Sequence, residues 1–255
     1  LTLDFSAAVK RSRTVSDRLT RGIGFLLKKN NVQVIMGTAQ ITSAKSITVT
    51  DANGAKQTLS TDNIIIATGS TPVVPPGIKI DDEKVVTYHK AILQEKLPKS
   101  VVIIGAGAIG LEFATVWSSY GSEVTIVEML PRIAPLEDEE VSKELNRAFN
   151  KRGIKTLTGN RVQSIEATKD GVKVLVSGAD GEQTLNAEQA LVAVGFRPNS
   201  ADLGLDKVGV KLSERGHILV DEHMATNVPG IYAIGDVTGK LLLAHVASAM
   251  GIAAA

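Results

Sequence analysis

Six residues in the middle of the chain have the types and spacing needed to hold a pyrophosphate. The run Gly105-Ala106-Gly107-Ala108-Ile109-Gly110 follows a short apolar segment and precedes an amphipathic one. Gly105 permits a tight turn, Gly107 lets the backbone approach a pyrophosphate, and Gly110 lets a helix pack on a strand. The N-terminus of that helix would offer free N–H groups and the positive end of its dipole to the phosphate. The segment therefore predicts a dinucleotide site between a strand and a helix.

A carboxylate beyond this turn indicates which dinucleotide is preferred. Glu128 ends the next apolar run, 18 residues after Gly110, where an acid accepts hydrogen bonds from the adenosine ribose hydroxyls. Its charge would repel a 2'-phosphate, which favours NAD over NADP. Arg132, four residues later, would soften that preference. The alternative interpretation of Glu128 is a solvated carboxylate at the end of a strand.

Glu112 is a charged residue in an otherwise apolar stretch just after the glycines. In the first turn of a helix, a carboxylate is stabilised by the helix dipole, which would explain its presence without a ligand. The other interpretation gives Glu112 a role facing the nicotinamide. Both interpretations stay open from the residues alone.

The elements that must position these residues occur twice along the chain. Each half is predicted to contain a helix, several strands, a buried strand and a break at Gly-x-x-Pro, so the chain consists of two related α/β units. Only the second unit has a strand, glycine turn and helix at its head, and we expect the matching head of the first to lie before Leu1. The first half has a helix at 4–29, strands at 32–36, 46–50 and 63–67, and a polar strand returning after the turn at 51–54. The second half has a helix at 138–152 and strands at 154–157, 163–168, 172–177 and 189–194.

Composition excludes several classes of function. The chain has 255 residues, 44% of them hydrophobic, and a net charge of +1, which gives no field to recruit nucleic acid or an anionic membrane. No export signal or membrane-spanning run is visible, so a cytoplasmic location is expected. The cysteine count is 0, which removes thiol chemistry from these residues. His89, His217 and His223 lie among polar residues without ligand spacing, so no metal site is expected.

Several motifs in a fixed order resemble those of the flavin-dependent pyridine nucleotide-disulfide oxidoreductases. The motifs occupy residues 65–70, 105–112, 193–199, 226–236 and 243–245, so the resemblance covers essentially the whole chain. Within this family the sequence is most similar to the branch that oxidises dihydrolipoamide. That narrower resemblance depends mainly on Glu128 and on the segment Leu243-Ala244-His245.

The resemblance implies two nested Rossmann-like nucleotide-binding domains of three layers, with the FAD-binding one incomplete. Residues 1–95 and 223–255 would belong to the FAD-binding domain, and residues 96–222 would form an NAD-binding domain inserted into it. The internal repeat supports this division independently. The chain would end before the family's dimerisation domain.

The resemblance also assigns individual residues to the two cofactors. Asp236 would hydrogen-bond the ribitol chain of FAD, with a turn or helix-cap role as the alternative. His245 is not expected to be catalytic, since a histidine in an apolar stretch is more often packed in the core. Glu112 matches a carboxylate that pairs with a lysine on the helix of the redox cysteines. The other FAD residues are Ala39, Thr68, Gly69, Ser70, Leu242, Leu243, Ala244 and His245, and Val162 and Gly195 would lie beside NAD.

For the complete protein the resemblance implies a homodimer that uses FAD and NAD to oxidise the lipoyl domain of a 2-oxoacid dehydrogenase or glycine cleavage complex. This sequence lacks the first FAD glycine turn, the redox cysteine pair and the dimerisation domain with its His-Glu pair. We therefore expect an interior fragment of a protein nearly twice as long, inactive by itself. The alternatives are another flavoprotein disulfide reductase of the same superfamily, or a non-catalytic NAD-binding module if the chain is naturally this short.

Overall fold

The computed structural model of the chain describes residues 3–255, which form two compact units. The first unit contains the residues up to Gly24 and Pro72–Gly195, and the second contains Phe25–Thr71 and Phe196–Ala255. The helices are α1 Phe5–Lys29, α2 Tyr88–Ala91, α3 Ala108–Ser119, α4 Glu139–Lys151, α5 Leu205–Val208 and α6 Ala244–Ala254. The strands are β1 Thr38–Ser43, β2 Ser46–Thr50, β3 Lys56–Ser60, β4 Ile64–Ile66, β5 Ser70–Pro72, β6 Val85–Val86, β7 Ser100–Ile104, β8 Glu123–Glu128, β9 Lys155–Thr158, β10 Arg161–Ala167, β11 Val172–Gly178, β12 Gly181–Ala187, β13 Gln189–Val192, β14 Phe196–Pro198 and β15 Ile231–Ala233.

The first unit is built on a parallel sheet with the strand order β6-β13-β7-β8-β9. Most residues of the central strands β13, β7 and β8 are buried, because both faces of the sheet are covered. Val101 and Ile103 of β7 pack with Trp117 of α3 in one buried cluster, whereas Val102 packs with Val174 of β11 in another. Helices therefore lie on one face and the antiparallel sheet β10-β11-β12 on the other. These three layers confirm the predicted Rossmann-like α/β fold.

The helices predicted at 4–29 and 138–152 correspond to α1 and α4, whose ends differ from the predicted ones by at most one residue. Asp138 caps α4, since its side chain accepts a hydrogen bond from the backbone N–H of Glu140. α1 ends at Lys29, and Asn31 follows with a φ of 57°, a left-handed conformation that asparagine tolerates. The predicted helices at 4–29 and 138–152 are thus confirmed.

The second unit contains the antiparallel sheet β1-β2-β3 and the parallel pair β15-β4. Its core is one buried cluster to which both sheets contribute. Ile64 and Ile66 of β4 are buried in it, whereas Ile65 between them is exposed. The strand predicted at 63–67 therefore exists but is buried on one face only.

The strand predicted at 32–36 is wrong. These residues have no regular structure, and the apolar side chains that alternate along them are exposed, with Met36 at 81%. Alternation predicts a strand only where another strand supplies backbone partners, and no strand in residues 3–255 pairs with this segment. Conversely, β1 and β12 were missed because their residues are mostly polar and exposed.

The predicted assignment of residues 1–95 and 223–255 to FAD and of residues 96–222 to NAD concerns bound cofactors. It stays a prediction, because the two compact units are defined by the packing of the chain alone.

Candidate nucleotide-binding sites

The glycine turn after β7 has the geometry that its sequence predicts. Gly105 has a φ of 102°, and a Cβ there would overlap the carbonyl oxygen of Ala193. A Cβ on Gly110 would overlap the carbonyl oxygen of Gly105. By contrast, no atom lies within 4 Å of the Cβ position of Gly107. Two glycines are therefore required by the fold itself, and the third leaves open space beside the backbone.

The N-terminus of α3 is free to bind an anion. Its N-cap residue is Gly107, which has no side chain with which to cap the helix. The N–H groups of the first turn, from Ala108 to Gly110, have no acceptor within the helix. They lie next to the open space at Gly107, and the helix dipole is positive there. This combination suits a phosphate group.

Glu128, at the end of β8, is hydrogen-bonded to the backbone of the glycine turn. The backbone N–H of Ala106 donates to Oε2 of Glu128 at 2.7 Å, and that of Leu130 donates to Oε1 at 2.8 Å. Glu128 is only 9% exposed, so its interpretation as a solvated strand-end carboxylate is wrong. Each carboxylate oxygen keeps a further lone pair for another donor, such as a hydroxyl group.

The loop after Glu128 is bound to the same turn. The backbone N–H of Ala134 donates to the carbonyl oxygen of Ala106 at 2.9 Å, and the buried hydroxyl of Ser142 donates to the carbonyl of Ala134 at 3.1 Å. The guanidinium of Arg132 donates to the carbonyls of Pro135 and Glu137, at 3.3 Å each. Arg132 is thus engaged with its own loop.

Glu112 is exposed and lies just past the first turn of α3, which begins at Ala108, so its predicted place in the first turn is wrong. Helix-dipole stabilisation weakens beyond the first turn. Within residues 3–255 its carboxylate has no hydrogen-bond or ion-pair partner. It borders a mostly apolar groove lined by Ala108, Leu111, Thr115, Val116, Leu145 and Phe149. The structure therefore weakens the helix-dipole interpretation, and a role of Glu112 facing the nicotinamide stays a prediction.

Val162 and Gly195 lie near the same edge of the parallel sheet. Val162 is the second residue of β10 and lies two residues after Asn160, whose backbone N–H donates to the carbonyl of Glu128 at 3.0 Å. Gly195 follows β13 with a φ of 117°, and its carbonyl accepts from the N–H of Val73 at 2.9 Å. In an open α/β sheet, ligands bind outside the carboxyl ends of the strands. The predicted NAD residues of the first unit are therefore grouped at the end of the sheet where such a ligand binds.

In the second unit, a contact joins two predicted FAD residues that are far apart in the chain. The hydroxyl of Ser70 donates to Oδ2 of Asp236 at 2.8 Å, and both residues are half-buried. Asp236 lies in a 3-10 turn, Gly235–Thr238, and its carboxylate bonds this side chain instead of capping the turn. The structure thus brings together the segment containing Thr68, Gly69 and Ser70 and the turn that carries Asp236.

Side chains that the sequence analysis did not single out hold this turn. Gly235 has a φ of 70°, and its N–H donates to Sδ of the buried Met250 at 3.2 Å. The hydroxyl of Thr238 donates back to the carbonyl of Gly235 at 2.8 Å. No local pattern marks Met250, because it lies 15 residues from the group it contacts.

The remaining predicted FAD residues lie on separate elements. Leu243 is the N-cap of α6, and Ala244 is its first residue. Leu242 and Leu243 are exposed, as is His245, so the expectation of a histidine packed in the core is wrong. Ala39 lies in β1 opposite Val49, and no hydrogen bond in the described chain joins it to Ser70 or Asp236.

The chain matches one protein family over nearly its whole length. Residues 2–251 match the model of the pyridine nucleotide-disulphide oxidoreductases. The chain belongs to this family.

Relatives of known name support a narrower likeness within this family. The dihydrolipoyl dehydrogenase of Corynebacterium glutamicum is 46% identical over 257 residues, which are 100% of this chain and 55% of the relative. The dihydrolipoyl dehydrogenase of Mycobacterium leprae is 48% identical over 255 residues, which are 99% of this chain and 54% of the relative. The chain thus spans about half the length of the curated relatives it matches.

Solved structures of family members share the fold. LpdA from Mycobacterium tuberculosis superposes with a TM-score of 0.91 at 30% identity, over 100% of this chain and 56% of that one. The HOCl-induced flavoprotein disulfide reductase RclA from Escherichia coli gives a TM-score of 0.86 at 28% identity, over 97% of this chain and 56% of that one.

Family membership implies FAD and NAD(P) as cofactors, and the residues present fit them. The uncapped N-terminus of α3 and the open space at Gly107 suit a pyrophosphate. The buried carboxylate of Glu128 and the half-buried carboxylate of Asp236 are acceptors for the hydroxyl groups of the cofactors. No group of three potential metal ligands occurs among residues 3–255, and no helix there is long and apolar enough to cross a membrane.

Proposed function

We propose that the natural protein containing these residues oxidises protein-bound dihydrolipoamide to lipoamide and reduces NAD+ to NADH. The overall reaction is dihydrolipoamide plus NAD+ giving lipoamide, NADH and one proton. Similarity to dihydrolipoyl dehydrogenases over the whole chain supports the substrate. The observation that carries the nucleotide part is the glycine turn fastened to Glu128 beside an uncapped helix.

In this proposal the first unit binds and orients NAD. Gly105 to Gly110 and the N–H groups at the start of α3 hold the pyrophosphate. Glu128 accepts hydrogen bonds from the adenosine ribose through the lone pairs that its backbone donors leave free. A buried carboxylate beside a 2'-phosphate is strongly unfavourable, which selects NAD over NADP. Val162 and Gly195 adjoin the same ligand.

The second unit contributes part of the FAD site. Asp236, held by Ser70, accepts from the ribitol chain; Thr68 and Gly69 adjoin FAD, and the backbone of Ala39 meets its adenine end. Residues 242–245 border the flavin ring. When bound, FAD supplies two-electron transfer between thiols and NAD+. The 255 residues contain 0 cysteines, so in this proposal the thiols that react with dihydrolipoamide belong to another part of the natural protein.

The domain division and the partners belong to the same proposal. Residues 1–95 and 223–255 form the FAD part and residues 96–222 the NAD part. The partner is the lipoyl domain of a 2-oxoacid dehydrogenase or glycine cleavage complex, and the protein acts as a homodimer in the cytoplasm. The names of the relatives support the lipoyl-domain partner.

The test uses the purified full-length protein. We expect it to contain FAD and to form NADH from NAD+ in the presence of dihydrolipoamide, with little product from NADP+ or from glutathione as the thiol. Asp236→Asn should lower FAD content and activity together, while Asp202→Asn, at a residue on the surface of the same unit, should change neither. Activity confined to NADPH and a different disulfide would refute the proposal and favour another flavoprotein disulfide reductase.

A further inference from the structure

Asn199 makes four hydrogen bonds to residues 68–71, which include the first two residues of β5. Its Nδ2 donates to the carbonyl of Thr68 at 3.0 Å, and its Oδ1 accepts from the hydroxyl of Thr71 at 2.6 Å. Its backbone N–H donates to the carbonyl of Gly69 at 3.0 Å, and its carbonyl accepts from the hydroxyl of Thr68 at 2.7 Å. Asn199 thus uses both polar groups of its side chain and both of its backbone groups to bond residues 68–71.

This segment depends on such bonds because it has little regular structure of its own. Residues 67–69 lie between β4 and β5 without strand pairing, and Gly69 has a φ of 70°. A short unpaired stretch of this kind is ordered only as far as its individual hydrogen bonds hold it. Asn199 lies 128 positions away from Thr71 in the chain. It directly follows β14, the strand that pairs with β5, and so extends the contacts of that pair to residues 68 and 69.

The segment held by Asn199 carries the hydroxyl that reaches Asp236. Ser70 stands between Gly69 and Thr71, both of which bond Asn199, and its Oγ donates to Oδ2 of Asp236 at 2.8 Å. A shift of the segment would break this bond, because a hydroxyl donor must lie within about 3 Å of its acceptor. The orientation of the Asp236 carboxylate is therefore linked to Asn199 through Ser70.

We infer that Asn199 is a positioning residue for FAD binding, which orients Asp236 through residues 68–71 and the Ser70 hydroxyl. This inference rests on the proposed function, in which Asp236 holds FAD. Asn199 bonds the segment and not Asp236, so its effect on the Asp236 carboxylate passes through Ser70.

The test measures FAD affinity of the full-length apoprotein by titration, together with the visible absorbance spectrum of the bound flavin. Asn199→Ala and Ser70→Ala should each weaken FAD binding about tenfold, which is the loss expected from one or two net hydrogen bonds. Asn199→Asp keeps the acceptor for Thr71 but loses the donor to Thr68, so it should give a smaller loss. Because Asn199 acts on Asp236 through Ser70, the two losses should not add. The FAD affinity of the double variant should lie within about twofold of that of the single variant with the lower affinity.

Asn227 offers a matched control in the same unit. Like that of Asn199, its side chain makes two hydrogen bonds, here both to backbone groups: it donates to the carbonyl of Gly209 and accepts from the N–H of Lys211, both at 2.8 Å. Asn227→Ala should lower the melting temperature by an amount comparable to Asn199→Ala, yet leave the FAD affinity and the flavin spectrum unchanged. The difference between these variants separates positioning from general loss of stability.

Three results would overturn this reasoning at different levels. Unchanged FAD affinity in Asn199→Ala would refute the inference, as would losses that add fully in the double variant, since they would mean that Asn199 does not act through Ser70. A wild-type protein that binds no FAD would instead refute the proposed function.

Discussion

Replacing Glu128 by glutamine should destabilise the first unit even before any ligand is considered. Each oxygen of the buried carboxylate accepts a backbone N–H, from Ala106 and from Leu130. Glutamine keeps one oxygen, so one of these bonds loses its charge assistance. The other N–H then faces the amide NH2 group, which cannot accept. Losing the charge assistance of one bond and leaving one buried donor unpaired together cost about 2–4 kcal/mol of the free energy of unfolding.

This loss can be measured with a probe that the chain already contains. Trp117 is the single tryptophan, is fully buried and belongs to the first unit, so its fluorescence follows unfolding of that unit in urea. Glu123→Gln is the matched control, because Glu123 begins the same strand but is exposed. If Glu128→Gln changed stability by no more than about 0.5 kcal/mol, as expected for surface substitutions, the role assigned to the carboxylate would be refuted.

The hydrogen bonds of Glu128 also affect the result expected when this residue is replaced to change the preference from NAD to NADP. Glu128→Arg should weaken NAD and raise the ratio of NADP to NAD affinity, because the charge beside the 2'-position is reversed. It also removes the acceptor for the N–H of Ala106, so both affinities should fall in absolute terms. An unchanged ratio of the two dissociation constants would refute the assignment of Glu128 to the ribose.

Three further predictions concern other positions. Gly107→Ala should leave the melting temperature within about 2 °C of wild type, since a Cβ meets nothing there, but should lower the NAD affinity at least tenfold. Gly105→Ala should instead prevent normal folding, because a Cβ there overlaps a backbone carbonyl. Equal loss of stability in both variants would contradict this distinction. Met250→Leu removes the acceptor for a buried backbone amide and should lower stability by about 1–3 kcal/mol in urea unfolding, while Met250→Gln, which restores an acceptor, should lose less; the opposite order would refute the thioether's role. Burial raises the pKa of Asp81, but the N–H groups of residues 83–85 outweigh it and hold this pKa below its usual range. The charged form of Asp81 is therefore favoured in the folded state, so wild type should be more stable than Asp81→Asn at a pH above the ordinary carboxyl pKa. This difference in stability should disappear as the pH falls through the lowered pKa. A difference that persists in acid would refute the stabilising role of the charged carboxylate.

Local patterns predicted most of the first unit because most of its elements, though not β12, are specified by neighbouring residues. The apolar run before Gly105 has strand character, Asp138 marks a helix start, and the three glycines need particular backbone geometry. A local pattern was not sufficient for the strand predicted at residues 32–36. Its alternation is genuine, but a strand also needs a neighbour, and none pairs with it in residues 3–255.

The sequence by itself determined the fold class, the glycine turn and the family, because these depend on residue types at short and regular spacing. Only the tertiary structure decided that Glu128 is buried against the N–H of Ala106, that Asn199 holds residues 68–71, and that Ser70 meets Asp236 across 166 positions of sequence. These contacts arise when the chain closes on itself and the sheets bring distant segments together. The local sequence does not record which residues then become neighbours, because any of several polar residues could have satisfied the same donors.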